Sequence, residues 1–248
     1  MQPHRSVRVA RPRHAGGSER GRATPPCPHR LTTVLPIPVL QTDVMPPRWM
    51  LGSVDTIAPR LLGATLVWDV DGERVTIRVT EVEAYAGEGE DPGSHAFRGP
   101  TPRNATMFGP PGHLYVYFTY GMHWCANVVT GAEGRASAIL LRAGEVTEGV
   151  DLARERRPSA RTDRDLARGP ARLTTALGLT GEHDGLDLLD PRSPVRLEVA
   201  RRPLPVHAVT PRTGVAGAGA PTPWRFVTDH PSVSPYRAAT PRKRKDIR

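Results

Sequence analysis

Two runs of alternating apolar and polar residues, joined at Asp71-Gly72, limit what this chain of 248 residues can fold into more than any other feature. Asp-Gly between such runs favours the tight turn of a β-hairpin, because both positions accept the left-handed backbone that a right-twisted strand pair needs. Leu61 to Val70 then reads as one strand and Arg74 to Tyr85 as its antiparallel return. On the return strand Val75, Ile77 and Val79 share a face, and the same parity continues into Glu81, Glu83 and Tyr85. A face that begins apolar therefore ends in carboxylates. Either a bulge switches the faces there, or acids are delivered to the edge of a core, where loss of water raises a carboxylate pKa unless donors compensate.

Ala86 to Gly112 is rich in Gly, Pro and Asp and has no sustained period, so it is expected to be a long loop of the kind that often carries function. Leu114 to Val129 predicts a second hairpin around Tyr120-Gly121-Met122-His123, and Ser137 to Arg142 a further strand. Glu145 to Arg156 carries Val146, Val150 and Ala153 at helical spacing and stops before Pro158; Pro170 to Leu177 opens on proline and closes at Gly178, as a second helix would. Val195 to Ala200 reads as a strand, while Val206 to Val227 is interrupted by prolines and stays unassigned. The elements do not alternate as βαβ. A single mixed α+β domain is expected, built around a curved, mostly antiparallel β-sheet with a protruding β-hairpin.

Charge separates this domain from its ends. Met1 to Val44 carries seven arginines against Glu19 and Asp43, and Arg237 to Arg248 six basic residues against Asp246, each a net +5; of the total +9, about −1 is left for the middle. Residues 1–45 are expected to be an Arg/Pro-rich, disordered tail, residues 46–236 the folded domain, and residues 237–248 a basic tail. A solvated run and a phosphate-attracting arm both fit that composition, as does an upstream start codon assigned in error, with Met45 or Met50 the true start. The first segment has no secretory apolar stretch, and Pro3, Pro12, Pro25, Pro26 and Pro28 oppose an amphipathic transit helix. Cys27 and Cys125 are too few and too far apart for a metal-ligand set, so no metal or cofactor is expected and a reducing compartment is. No stretch is long enough for a membrane span, which predicts a soluble protein.

The ordered motifs Glu81-Val-Glu83-Ala-Tyr85, Asp91-Pro through His95, Thr101-Pro-Arg-Asn104, Met107 through Tyr117, Tyr120-Gly-Met122, Cys125-Ala-Asn127 and Leu140-Leu-Arg142-Ala resemble those of the alkyladenine (3-methyladenine) DNA glycosylase family. Fainter echoes at Gly169-Pro-Ala-Arg-Leu173, Pro211-Arg212 and Pro223-Trp-Arg-Phe226 extend the resemblance over about Pro59 to Ser234. It implies a cytoplasmic, nucleoid-associated bacterial monomer that acts on double-stranded DNA holding a damaged purine. The chemistry implied is hydrolysis of the bond between an alkylated purine, 3-methyladenine or 7-methylguanine and by extension hypoxanthine or ethenoadenine, and its sugar, with the nucleotide extruded first.

The resemblance assigns Glu83 as the base that takes a proton from the attacking water and Glu81 as a structural carboxylate; the residues alone do not choose between them. Arg142 corresponds to a position beside the water and the catalytic glutamate, where its charge would also hold Glu83 ionised. Tyr85, His95 and Tyr117 match base-stacking positions, although the segment between Tyr85 and His95 is one residue longer than the family pattern. Asn127 matches the position that crowds the exocyclic amine of guanine. Tyr120, supported by Met122 and His123, matches the wedge that fills the gap in the stack. Arg103, Asn104, Arg172 and Arg212 are candidates for the DNA backbone, with Gly169-Pro170 opening a helix whose amides could meet a phosphate.

One inference needs no family. The only lysines are Lys243 and Lys245, both in the basic tail, so the domain has none to form a Schiff base with the sugar, and hydrolysis without strand nicking is expected. Two other classes stay open at this point: a nucleic-acid-binding protein of the same fold without activity, and a hydrolase of free nucleosides, which would need no wedge.

Overall fold

In the computed structural model, which describes residues 45–239, the turn at Asp71-Gly72 joins β1 (Thr65–Val70) to β2 (Glu73–Tyr85), with Val70 opposite Glu73. Both turn residues have left-handed backbone, φ 53° and 84°, as the sequence predicts. The first strand starts later than expected. Ala58–Leu61 is a turn of 3-10 helix, and Gly63, at φ 84°, separates it from β1. Leu61 and Leu62 are fully buried there, so their apolar character serves packing rather than strand pairing.

β3 (Leu114–Thr119) and β4 (His123–Val129) form the second expected hairpin. β5 (Ala138–Glu148) runs past the expected end at Arg142, and the helix expected from Glu145 begins only at Val150, as α2 (Val150–Arg156) after the short α1 (Val54–Ile57). Val146 faces the core opposite Ile77; pairing with β2 overrides the helical spacing that Val146 shares with Val150 and Ala153. Gly149 makes the switch at φ 71°, where a Cβ would lie 2.0 Å from the Arg74 carbonyl oxygen, so no other residue fits. α3 (Pro170–Leu177) matches its prediction. β6 (Val195–Glu198) follows, and β7 (Ala208–Thr210) and β8 (Arg225–Val227) fill the region left unassigned.

All the strand pairs are antiparallel, in the order β3-β4-β5-β2-β1-β6. β8 pairs with β2 at Glu81–Glu83, beyond the reach of β1, and carries β7 on its other edge. The architecture is the expected mixed α+β one. On one face Ile57, Val79, Val82, Ile139, Leu141, Ala153, Leu173 and Leu177 belong to a single apolar cluster that joins the sheet to α1, α2 and α3. Each such side chain, fully buried, contributes about 1.5–3 kcal/mol.

What happens along β2 and β5 decides what the other face carries. Their register shifts on both sides of Glu81, leaving Thr80 on one strand and Arg142 on the other without a partner. Before the shift Val75, Ile77 and Val79 face the core; after it Val82 and Ala84 do, while Leu141 and Ile139 keep step on β5. This is the bulge left open by the sequence pattern. It turns Glu81, Glu83 and Tyr85 to the face away from the helices.

That second face is covered by the long loop. Ala96 and Met107 from it form a small apolar cluster with Tyr115, Val129, Ala136 and Ala138. The expected tails lie outside the described residues except at their inner ends. There the C-terminal one is tied down, since the Arg237 carbonyl accepts from the Gly214 amide at 3.1 Å. Among the described residues no helix is long and apolar enough to cross a membrane.

Candidate active site

Strand alternation brings the chemistry together. Tyr115 and Tyr117 of β3, Cys125 and Asn127 of β4, Leu140 and Arg142 of β5 and Tyr85 of β2 line one cavity of about 440 Å³, within the range of small-molecule sites. The long loop closes it with Pro92–His95 and Met107, and Thr213–Ala216, Thr119, Tyr120 and Pro170 complete its wall and mouth.

Glu83 lies behind this wall, fully buried. Its Oε2 accepts from the Tyr85 hydroxyl at 2.9 Å and from Arg142 Nη1 at 3.1 Å, and its Oε1 accepts from the Thr213 amide at 2.6 Å. All three donor residues line the cavity. Glu81, equally buried, is held by Arg142 Nε and Arg225 Nε, each at 2.7 Å, and by the amide and hydroxyl of Ser234 at 2.6 and 2.9 Å.

Burial is the largest influence on both carboxylates and pushes each pKa up. At Glu81 the charges of Arg142 and Arg225 and the bonds from Arg225 and Ser234 outweigh it, so this carboxylate sits below its ordinary value. At Glu83 Arg142, the Thr213 amide and the Tyr85 hydroxyl do not, and its pKa stays raised. Arg142 thus does less for the ionisation of Glu83 than its position in the sequence suggests, because it is shared with Glu81. Two glutamates two residues apart are set to opposite electrostatic states.

Burial also raises the phenols: Tyr85 and Tyr117 well above their ordinary value, and Tyr115 to about 12. His95 is lowered, by burial first and by Arg103 second. Despite the extra residue before it, His95 reaches the cavity; it meets Tyr117 edge to face at 4.6 Å between ring centres, and its Nδ1 lies 3.3 Å from the Tyr115 hydroxyl. Asn127 is fixed by a 3.0 Å bond from Nδ2 to the Tyr115 carbonyl.

Tyr120 stands at the tip of the β3–β4 hairpin, 86% exposed, with Met122 also exposed beside it. Its backbone is left-handed, φ 52°, followed by Gly121 at 67°, and the Met122 amide closes the turn on the Thr119 carbonyl at 3.2 Å. A tyrosine in that conformation costs about 1–2 kcal/mol. Arg103 is exposed near the mouth, bonded to the Phe118 carbonyl, and Arg172 is exposed on the first turn of α3, next to the cavity-lining Pro170.

Two backbone-contact candidates are corrected. Arg212 is 1% exposed and ion-paired with Asp91 through both Nη atoms, at 2.5 and 2.7 Å, lying over the Tyr85 ring at 4.6 Å. Asn104 is buried, accepting from the Thr101 amide and donating to the carbonyls of His95 and Gly99. Both shape the loop from within, because their polar groups are engaged by the protein. Residues the sequence reading missed are Thr213, Tyr115, Arg225 and Ser234. Tyr115 alone had a signal, its shared parity with Tyr117; the others reach the site through loops without a period.

A family model described as "Methylpurine-DNA glycosylase (MPG)" matches residues 48–232, most of the chain. The chain belongs to this family. A Streptomyces avermitilis protein named "Putative 3-methyladenine DNA glycosylase" is 57% identical over 192 residues, covering 76% of this chain and 90% of that protein. Proteins of the same name from Leifsonia xyli and Nocardia farcinica are 55% and 54% identical, covering 75% and 73% of this chain and 90% and 86% of their own lengths. The matched span takes in β1 to β8 and every residue bonded to Glu83.

Proposed function

We propose that this protein is a monofunctional DNA glycosylase that extrudes an alkylated purine nucleotide from the duplex and hydrolyses its N-glycosidic bond. The observation that carries the reading is Glu83, a desolvated carboxylate with a raised pKa, bonded to three residues that line a purine-sized cavity. In the reaction the water oxygen bonds to the anomeric carbon and its proton passes to Glu83. The electron pair of the glycosidic bond leaves with the base, and the carboxylate opposes the positive charge that develops on the sugar. Tyr85, His95 and Tyr117 hold the base by stacking and edge contacts, Asn127 forms a rigid wall against exocyclic groups, and Arg142 keeps the carboxylate oriented. The products are a free base and an intact abasic strand, since residues 45–239 contain no lysine.

Leaving-group chemistry favours cationic lesions. The lowered His95 stays neutral at physiological pH, and the raised phenols and the raised Cys125 thiol are weaker acids than usual, so the wall supplies no ready proton for a neutral base. Single-turnover release is therefore expected to be faster from 7-methylguanine than from hypoxanthine duplexes. Because Glu83 must be ionised to accept a proton and its pKa is raised, release should be full on the alkaline side and fall as pH drops through a value above the ordinary carboxylate range. Faster, pH-independent release of hypoxanthine contradicts this account of the leaving group. Duplex binding with no base released points to a pure binder, and activity on free methylated nucleosides alone to a nucleoside hydrolase.

Tyr120 is the proposed wedge. Unstacking a base costs roughly a few kcal/mol per step, which an inserted ring offsets. Tyr120→Gly is expected to raise thermal stability slightly, by relieving the left-handed backbone, while lowering release from duplex by about tenfold or more. A variant with full release and unchanged duplex affinity removes Tyr120 from this role.

A further inference from the structure

The carboxylate proposed as the base has a neighbour that the mechanism above does not use. Thr213 donates its amide to Glu83 Oε1 at 2.6 Å. Its side chain belongs to the cavity wall, and its Oγ1 is buried with no hydrogen-bond partner among the described residues. Buried hydroxyls are normally satisfied, so an orphan beside a reactive carboxylate calls for an explanation. Covalent geometry keeps Oγ1 within about 4 Å of its own amide nitrogen. The hydroxyl and Glu83 Oε1 are therefore close enough to share one water molecule.

We infer that the Thr213 hydroxyl positions the attacking water: it and Glu83 grip one molecule from two sides, at the edge of the cavity where the sugar must lie. This rests on the glycosylase reading. Each partner has the chemistry for it. Glu83 is acceptor only and takes the proton that is transferred, while a threonine hydroxyl both donates and accepts, so it orients the water lone pair without competing for that proton. The residue is also well anchored. Its amide is pinned to Glu83, the following Gly214 amide bonds the Arg237 carbonyl, and the preceding Arg212 is locked to Asp91. A nucleophile held in line gains from orientation alone, and a loosened one loses rate without loss of binding.

Single-turnover release from 7-methylguanine and hypoxanthine duplexes tests this, with wild type, Thr213→Val and Thr213→Ser compared at saturating enzyme across pH. Valine keeps the shape and the amide bond to Glu83 but deletes the hydroxyl. It should lower the rate constant about tenfold, the size of one lost hydrogen bond to the transition state, by the same factor on both lesions because water attack is common to them. Affinity for an abasic-site duplex and the position of the acid limb should not move, and serine should restore most of the rate. A valine variant at the wild-type rate overturns the inference, as does one whose loss comes from a shifted acid limb, since the residue would then act through the pKa of Glu83. No release by the wild type would instead remove the glycosylase reading beneath it.

Discussion

Glu83→Gln is expected to lower single-turnover release of 7-methylguanine by about 10²–10⁴-fold, the usual contribution of a positioned base, while affinity for an abasic-site duplex is nearly unchanged. The substitution removes the proton acceptor and almost no volume. Its amide oxygen can still accept from the Thr213 amide, but its nitrogen then faces two donors, the Tyr85 hydroxyl and Arg142 Nη1. That mismatch costs about 1–3 kcal/mol. Loss of a buried charge that burial already disfavours offsets part of it, so the fold should survive, which a denaturation midpoint close to wild type would confirm. Ordinary turnover by this variant would remove Glu83 from the role of base.

The largest stability effect is expected at Asp91→Ala, about 3–5 kcal/mol, because removing one member of a buried ion pair strands the other. Asp91 and Arg212 are 1% exposed each, and the same carboxylate also accepts from the amides of Ala86 and Gly93. Four bonds that fold the long loop onto the sheet are lost together. Arg212 also stacks on Tyr85, so the base-stacking ring should loosen as well. Denaturant unfolding of wild type, Asp91→Ala and Asp91→Asn measures this; asparagine should fall between the other two. A shift under 1 kcal/mol for alanine would mean that the loop is held by something other than this pair.

The strands and the site residues on them were legible because period-two alternation and turn residues act locally. Asp71-Gly72, Gly121 and the Pro170-to-Gly178 helix all appear where their chemistry puts them. Glu145–Glu148 misled because a four-three spacing of apolar residues fits a helix on its own, and only the long-range partner Ile77 shows that it is a strand. The motif positions reach one cavity, but sequence could not rank Arg212 or Asn104 as internal, since an arginine for phosphate and an arginine for a buried aspartate look alike. Nor could it find Thr213, Arg225 or Ser234, which meet the two glutamates from segments more than a hundred residues away.

The two one-residue slips beside Glu81 have an implication for how such a site can vary. They are complementary: an extra residue at Thr80 is answered by one at Arg142, so both strands rotate by half a repeat together and the ladder re-forms beyond them. Deleting either residue alone would swap the two rows past that point on one strand only, driving Val82 and Ala84 outward and both glutamates into the helices. Chain length around the acids is therefore locked across the pair of strands, whereas the loops that finish the cavity can be rebuilt without disturbing the acids.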